Sequence, residues 1–193
     1  MAGEYESVEL VEDRYVERLA MSAVVAALMA AFSYVVVPYP FSPTDITLQT
    51  MGVAIAGLVL GPVWGGFSMS LYVLVGALGA PVFKGGAAGM GHLFGPTGGF
   101  VFGFIAAAVV TGAIVHRDLE PKPLESVSLP LVVAGLLAGM VATYAVGVPW
   151  LANQYGLSLV RAADVGAIVF VPGDLVKLGA ALGLVRAGEF ALE

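Results

Sequence analysis

The feature that most constrains this chain is the recurrence of apolar stretches, each close to the length of a membrane crossing, separated by short polar or Gly/Pro-rich breaks. A helix rises about 1.5 Å per residue and needs roughly 20 apolar residues to traverse the hydrocarbon layer. Cut at its breaks, the chain gives six candidate spans: Arg18 to Val37, Ile46 to Gly61, Val63 to Gly79, Gly99 to Val115, Val127 to Val148, and a last one within Ala162 to Ala187. Charged residues make up 11% of the chain against about 25% in a soluble domain, too few to cover a water-exposed surface. The expected fold class is therefore an all-α integral membrane protein, a compact bundle of six transmembrane helices in the cell membrane.

The breaks are chemically specific. Pro38-Tyr39-Pro40-Phe41-Ser42-Pro43 cannot continue a helix, and Gly61-Pro62 makes a tight turn. His116-Arg117-Asp118-Leu119-Glu120-Pro121-Lys122-Pro123 is the most polar connection. Trp150 to Arg161 reads as an exposed connection. Pro172-Gly173 interrupts the sixth segment, a pattern tolerated in membranes where the freed backbone lines a cavity, so the span proper is expected to start near Pro172. Cytosolic loops collect Lys and Arg. Placing the N-terminus inside puts Arg14, Arg18, Arg117, Lys122 and Arg186 in the cytosol and leaves Lys84 and Arg161 outside, which predicts an N-in, C-in orientation.

Three regions follow: an acidic arm over 1–17, a membrane domain over 18–187 and a tail over 188–193. The arm carries Glu4, Glu6, Glu9, Glu12, Asp13 and Glu17, opposite in sign to the start of a cleavable signal peptide. Val8, Val11, Tyr15 and Leu19 fall at helical spacing, so it reads either as an amphipathic surface helix or as a solvated tail.

Asp174 and Lys177 are the informative pair, two ionisable residues at i, i+3 in an apolar stretch. Each charge costs roughly 2.5 to 3.5 kcal/mol in hydrocarbon, so the pair either satisfies itself or faces a cavity and meets a ligand. A helix starting after Pro172-Gly173 would also aim free N–H groups toward the same place. Gln49, between Thr47 and Thr50, serves packing or offers a donor and an acceptor to a ligand. Tyr72 has the same two readings, with a wall or packing role favoured. The loop Phe83-Lys84-Gly85-Gly86-Ala87-Ala88-Gly89-Met90-Gly91-His92 can approach a bound molecule closely or take positive φ, as a lid or as a re-entrant connection.

Several classes of function lose support. No G-x-x-x-x-G-K-[ST] string occurs, so the chain has no nucleotide-hydrolysing site of its own. His92 and His116, the only histidines, are placed on opposite sides of the membrane, and there is no cysteine, so no metal site is expected. No G-x-S-x-G elbow or other catalytic arrangement is evident, and neither a catalytic residue, a cofactor nor a nucleic-acid partner is expected. Small residues at i, i+4 recur in most spans and let backbones approach. The first span differs, because Ala23, Ala27 and Ala31 could present a smooth outer face to a partner.

The strings Val37-Pro38-Tyr39-Pro40-Phe41, Thr47-Leu48-Gln49-Thr50, Leu78-Gly79-Ala80-Pro81-Val82-Phe83, Gly85-Gly86, Gly95-Pro96-Thr97-Gly98-Gly99-Phe100 and Pro172-Gly173-Asp174-Leu175-Val176-Lys177 together resemble the BioY family, the biotin-specific substrate-binding (S) components of energy-coupling-factor (ECF) transporters. The resemblance covers roughly residues 20–187. It implies a six-helix S-component bundle that binds biotin from outside, with Asp174 and Lys177 in the site and Gln49, Tyr72, Gly85, Gly86 and Thr97 as further candidates. It also implies that the Ala23, Ala27 and Ala31 face meets a membrane coupling (T) protein, itself driven by a pair of ATPases. Asp45 and Lys84 depart from the family pattern at the rim of the site. Biotin has a ureido group, an apolar bicyclic body and a carboxylate, and Asp174, Gln49, the apolar lining and Lys177 supply matching chemistry. Competing expectations are a self-sufficient secondary carrier or facilitator for biotin or another vitamin, and an intramembrane enzyme.

Overall fold

The computed structural model describes residues 13–188. Most of the expected acidic arm and the tail beyond Gly188 lie outside the described residues. Helix α1 runs over Asp13–Ser33, so residues 13–17, assigned above to the arm, are the first turns of the first long helix. A two-residue ribbon, β1 (Val36–Val37) paired antiparallel with β2 (Ile46–Thr47), closes the connection that the prolines keep out of helix. This ribbon is the one departure from an all-helical chain apart from an isolated bridge between Phe83 and Ala87, among the described residues.

Helix α2 spans Gln49–Ala77 and is broken at Gly61, whose φ of 72° and ψ of −171° no L side chain adopts comfortably. The break is a reversal. Gln49 reaches Tyr72, 23 residues away, and a Cβ on Gly65 would lie 2.8 Å from the Ala56 carbonyl, contacts that a straight helix cannot make. The two arms, 49–60 and 62–77, therefore lie side by side, as the Gly61-Pro62 turn predicts.

After a loop containing the short helix α3 (Met90–Leu93), α4 covers Gly98–His116 and α5 covers Leu129–Tyr155. The expected end of the fifth span at Val148 is too early: Pro149 sits inside α5 and the helix continues for two further turns. Trp150 is accordingly not in an exposed connection. It packs against Gly99, and its indole N–H donates to the Gly95 carbonyl at 2.9 Å. Helix α6 (Leu159–Ala163) continues into a π turn over Asp164–Ile168, and α7 spans Val171–Arg186. The bend of 42° falls at residues 169–170 rather than at Pro172-Gly173. Pro172 occupies the first turn of α7, where its missing N–H breaks no helical bond.

Among the described residues four helices are long and apolar enough to cross a membrane, and a fifth crossing results if the bent α6–α7 pair counts as one. In lipid, helix association depends on packing rather than on exclusion of water, and small residues supply the close approaches. A Cβ on Gly57 would come within 2.7 Å of Thr111, one on Gly103 within 2.8 Å of the Thr143 carbonyl, and one on Gly112 within 2.4 Å of Gly61 and Pro62. The expected pair Gly179 and Gly183 meets nothing within 4 Å and faces outward.

Two buried clusters share α2. One centres on Met29, Met69, Tyr72, Phe83 and Phe104, the other on Ile55, Leu58, Val132, Leu136 and Leu178. One end of the bundle gathers the α2 reversal, the polar connection after α4 and the C-terminal end of α7. There the buried His116 sits at the end of α4, with Nε2 donating to the Leu58 carbonyl at 3.0 Å and Nδ1 accepting from the Lys122 N–H at 3.0 Å. Arg186 reaches the Val127 carbonyl at the same end. The opposite end gathers the ribbon, the glycine-rich loop and the start of α7, and it carries the cavity.

Candidate functional site

A cavity of about 640 Å³, including its open mouth, lies between α2, α4, α5 and α7. Its deep wall is built on the first turn of α7. Asp174 is 2% exposed, and the helix N-terminus favours a carboxylate at this position.

Three groups converge on Asp174 and its partner, Lys177. Lys177 Nζ lies 2.5 Å from Oδ1, one helical turn away. The Thr50 hydroxyl donates to Oδ1 at 3.0 Å, and the Tyr144 hydroxyl donates to Oδ2. Lys177 also donates to the Thr47 carbonyl at 2.9 Å. The Thr47 hydroxyl in turn donates to Gln49 Oε1 at 2.9 Å, and Gln49 Nε2 donates to the Tyr72 hydroxyl at 2.9 Å. A single polar network thus runs from the back of α2 across the cavity wall to α5 and α7. With three partners already on its oxygens, Asp174 keeps room for about one further donor, since an ionised carboxylate accepts about four hydrogen bonds. Gln49 keeps one amide N–H for the cavity.

The structure brings Asp174, Lys177, Gln49 and Thr97 together on the lining. Tyr72 stands behind Gln49 rather than on the cavity surface, 2% exposed and edge-on to Phe83. Gly85 and Gly86 are absent from the lining too. Their φ values of 65° and 84° turn the loop so that the preceding residue, Lys84, faces the cavity. Thr97 is held by the turn that Trp150 anchors from α5. Ala23, Ala27 and Ala31 are exposed on the outside of α1.

Tyr144 is the principal residue that reading the sequence misses. It is one polar group in an apolar segment, and only the tertiary fold, which sets α5 across the cavity from α7, gives it Asp174 as a partner. Phe100, Phe104 and Phe170 supply the apolar wall. His92, at the mouth, stacks on Phe83 with ring centroids 5.0 Å apart, and burial with the nearby Lys84 ammonium holds its pKa below the ordinary value. It is therefore neutral at neutral pH. Among the described residues no cluster of His, Cys, Asp or Glu could hold a metal ion.

Tyr144→Phe removes a charge-assisted hydrogen bond without changing the shape of the wall. Ligand binding is expected to weaken about tenfold, equivalent to about 1.4 kcal/mol, while the variant elutes as the folded parent does. Unchanged binding in a calorimetric titration would exclude Tyr144 from the site.

A broken, antiparallel α2 and a bent last crossing, framing a small polar cavity at one end of the bundle, define a membrane-embedded substrate-binding fold. The same fold is found, with a TM-score of 0.80 and 27% identity over 92% of this chain and 93% of the other, in the crystal structure at 2.1 Å of the S-component for biotin from an ECF-type ABC transporter. A second S component of a bacterial ECF transporter shares the fold, with a TM-score of 0.60 at 16% identity over 93% of this chain and 99% of the other. The chain belongs to the BioY family, whose match spans residues 6–193. It is similar to the biotin transporter BioY of Rhizobium etli, 36% identical over 88% of this chain and 91% of the relative. Similarity to the biotin transporter BioY of Rhodobacter capsulatus is 40% identity over 79% and 83%. The chain is a multi-pass membrane protein.

Proposed function

We propose that the protein is the membrane-embedded biotin-binding component of a vitamin uptake transporter. The observation that carries this reading is the buried Asp174–Lys177 pair on the wall of a largely apolar cavity that opens at one end of the bundle. It agrees with the names of the relatives. An apolar bicyclic ring suits Phe100, Phe104 and Phe170, and a ureido group suits the remaining acceptor of Asp174 and the free N–H of Gln49.

Counted with the two arms of α2 separate and the bent α6–α7 pair as one, the bundle has six crossings. Arg14, Arg18, Arg117, Lys122 and Arg186 belong to the end opposite the cavity, which supports an N-in, C-in orientation with the site opening outward. Energy then comes from a membrane coupling protein and a pair of ATPases, met through the exposed Ala23, Ala27 and Ala31 face, where small side chains permit close helix contact.

The test is equilibrium binding of biotin to the detergent-purified protein, with Lys177→Ala as the companion. Saturable binding in the parent and its loss in Lys177→Ala, with retained folding, is the expected result. No saturable binding in the parent removes the proposed ligand. Biotin accumulation in liposomes holding this protein alone would instead make it a self-sufficient carrier.

A further inference from the structure

The cavity holds two ion pairs. The deep one, Asp174–Lys177, has side chains 3% and 12% exposed, whereas the second joins Lys84 to Asp45 at 2.9 Å with 26% and 34% exposure. The second pair bridges the connection after β1 and the glycine-rich loop, and both of its residues line the cavity. This reading rests on the proposed function. A ligand that ends in a carboxylate needs a cation that can change partners.

Lys177 is poorly suited to that exchange. Two of its three ammonium donors are committed, to Asp174 and to the Thr47 carbonyl. Drawing it away would also leave the buried Asp174 carboxylate short of its counter-charge, which is costly. Lys84 has the one acceptor, Asp45, and Asp45 can rotate into water at little cost because a part-exposed ion pair is weakly held. Its ammonium keeps donors to spare.

We infer that Lys84 is the residue that receives the ligand carboxylate, and that Asp45 competes with that carboxylate for the same ammonium. The ligand then lies with its charged end at the mouth and its ring end against Asp174, Tyr144 and Gln49. Acid selectivity is set by the Lys84–Asp45 pair rather than by Lys177.

The experiment measures, for each variant, the ratio of affinities for biotin and for its uncharged carboxamide. Lys84→Gln is expected to lower the acid-to-amide ratio about tenfold, equivalent to about 1.4 kcal/mol. Lys84→Arg is expected to preserve it, and Asp45→Asn to raise it severalfold by removing the competitor. The carboxamide itself is expected to bind all four proteins within about threefold, which also shows that each is folded. A ratio unmoved by Lys84→Gln overturns the assignment, as does one that collapses only in Lys177→Gln. A ratio that falls in Lys84→Gln but does not rise in Asp45→Asn overturns the competition. If neither compound binds the parent, the proposed function fails and this inference falls with it; if both bind, that function stands whatever the ratios do.

Discussion

Asp174→Asn is expected to lower stability by about 3–5 kcal/mol and to abolish biotin binding, the largest effect of any single substitution in this protein. The carboxylate is 2% exposed, and its loss leaves the Lys177 ammonium, 12% exposed, with no counter-charge. Thr50 and Tyr144 lose a charged acceptor at the same time. Structure and binding are separable here, because a buried pair replaced as a whole by apolar residues of similar volume costs far less than a pair broken in half. The double variant Asp174→Leu/Lys177→Met should recover most of the lost thermal stability in detergent while still failing to bind. If the double variant binds biotin as tightly as the parent, the pair is scaffolding and the site assignment is wrong.

The second large effect is expected at Gly98. A Cβ there would lie 1.7 Å from the carbonyl oxygen of Leu93, a backbone atom that cannot swing aside. Gly98→Ala must therefore unwind the start of α4 or displace α3, at a cost of about 1–3 kcal/mol or more. Thr97 on one side and Val101 on the other line the cavity, so the distortion reaches the site directly. Biotin affinity is expected to fall at least tenfold, with a lowered melting temperature. Gly179→Ala is the control. It meets nothing within 4 Å, and it should leave both quantities unchanged. Equal behaviour of the two variants would show that close packing at the Gly-Pro-Thr-Gly-Gly turn does not shape the cavity.

Much of the site was legible because its central pair is local. Asp174 and Lys177 are one helical turn apart, so their contact follows from helix geometry once the segment is read as helical. Thr47 to Thr50 likewise form one stretch that meets that pair. Tyr144 lies 30 residues from Asp174 and Lys84 lies 39 from Asp45, and no periodicity joins residues so far apart. Gly85 and Gly86 take the positive φ that the glycine-rich loop allows, and Lys84 beside them lines the cavity. The expected end at Val148 is too early, because α5 carries Pro149 and continues far enough for Trp150 and Gln154 to hold the carbonyls of Gly95 and Phe94.

By itself the sequence determined the solvent, the mostly helical membrane-spanning character of the chain, the reversal at Gly61-Pro62 and the adjacency of Asp174 to Lys177. All of these are set by composition, by backbone-limited residues and by contacts within a turn or two. Tertiary structure alone decided that the pair faces a cavity rather than lipid, that Tyr144 completes its hydrogen bonding and that Asp45 and Lys84 meet at the mouth. Those outcomes depend on which helix faces pack together, and in lipid that choice rests on small-residue packing summed over the whole bundle rather than on any one segment's pattern.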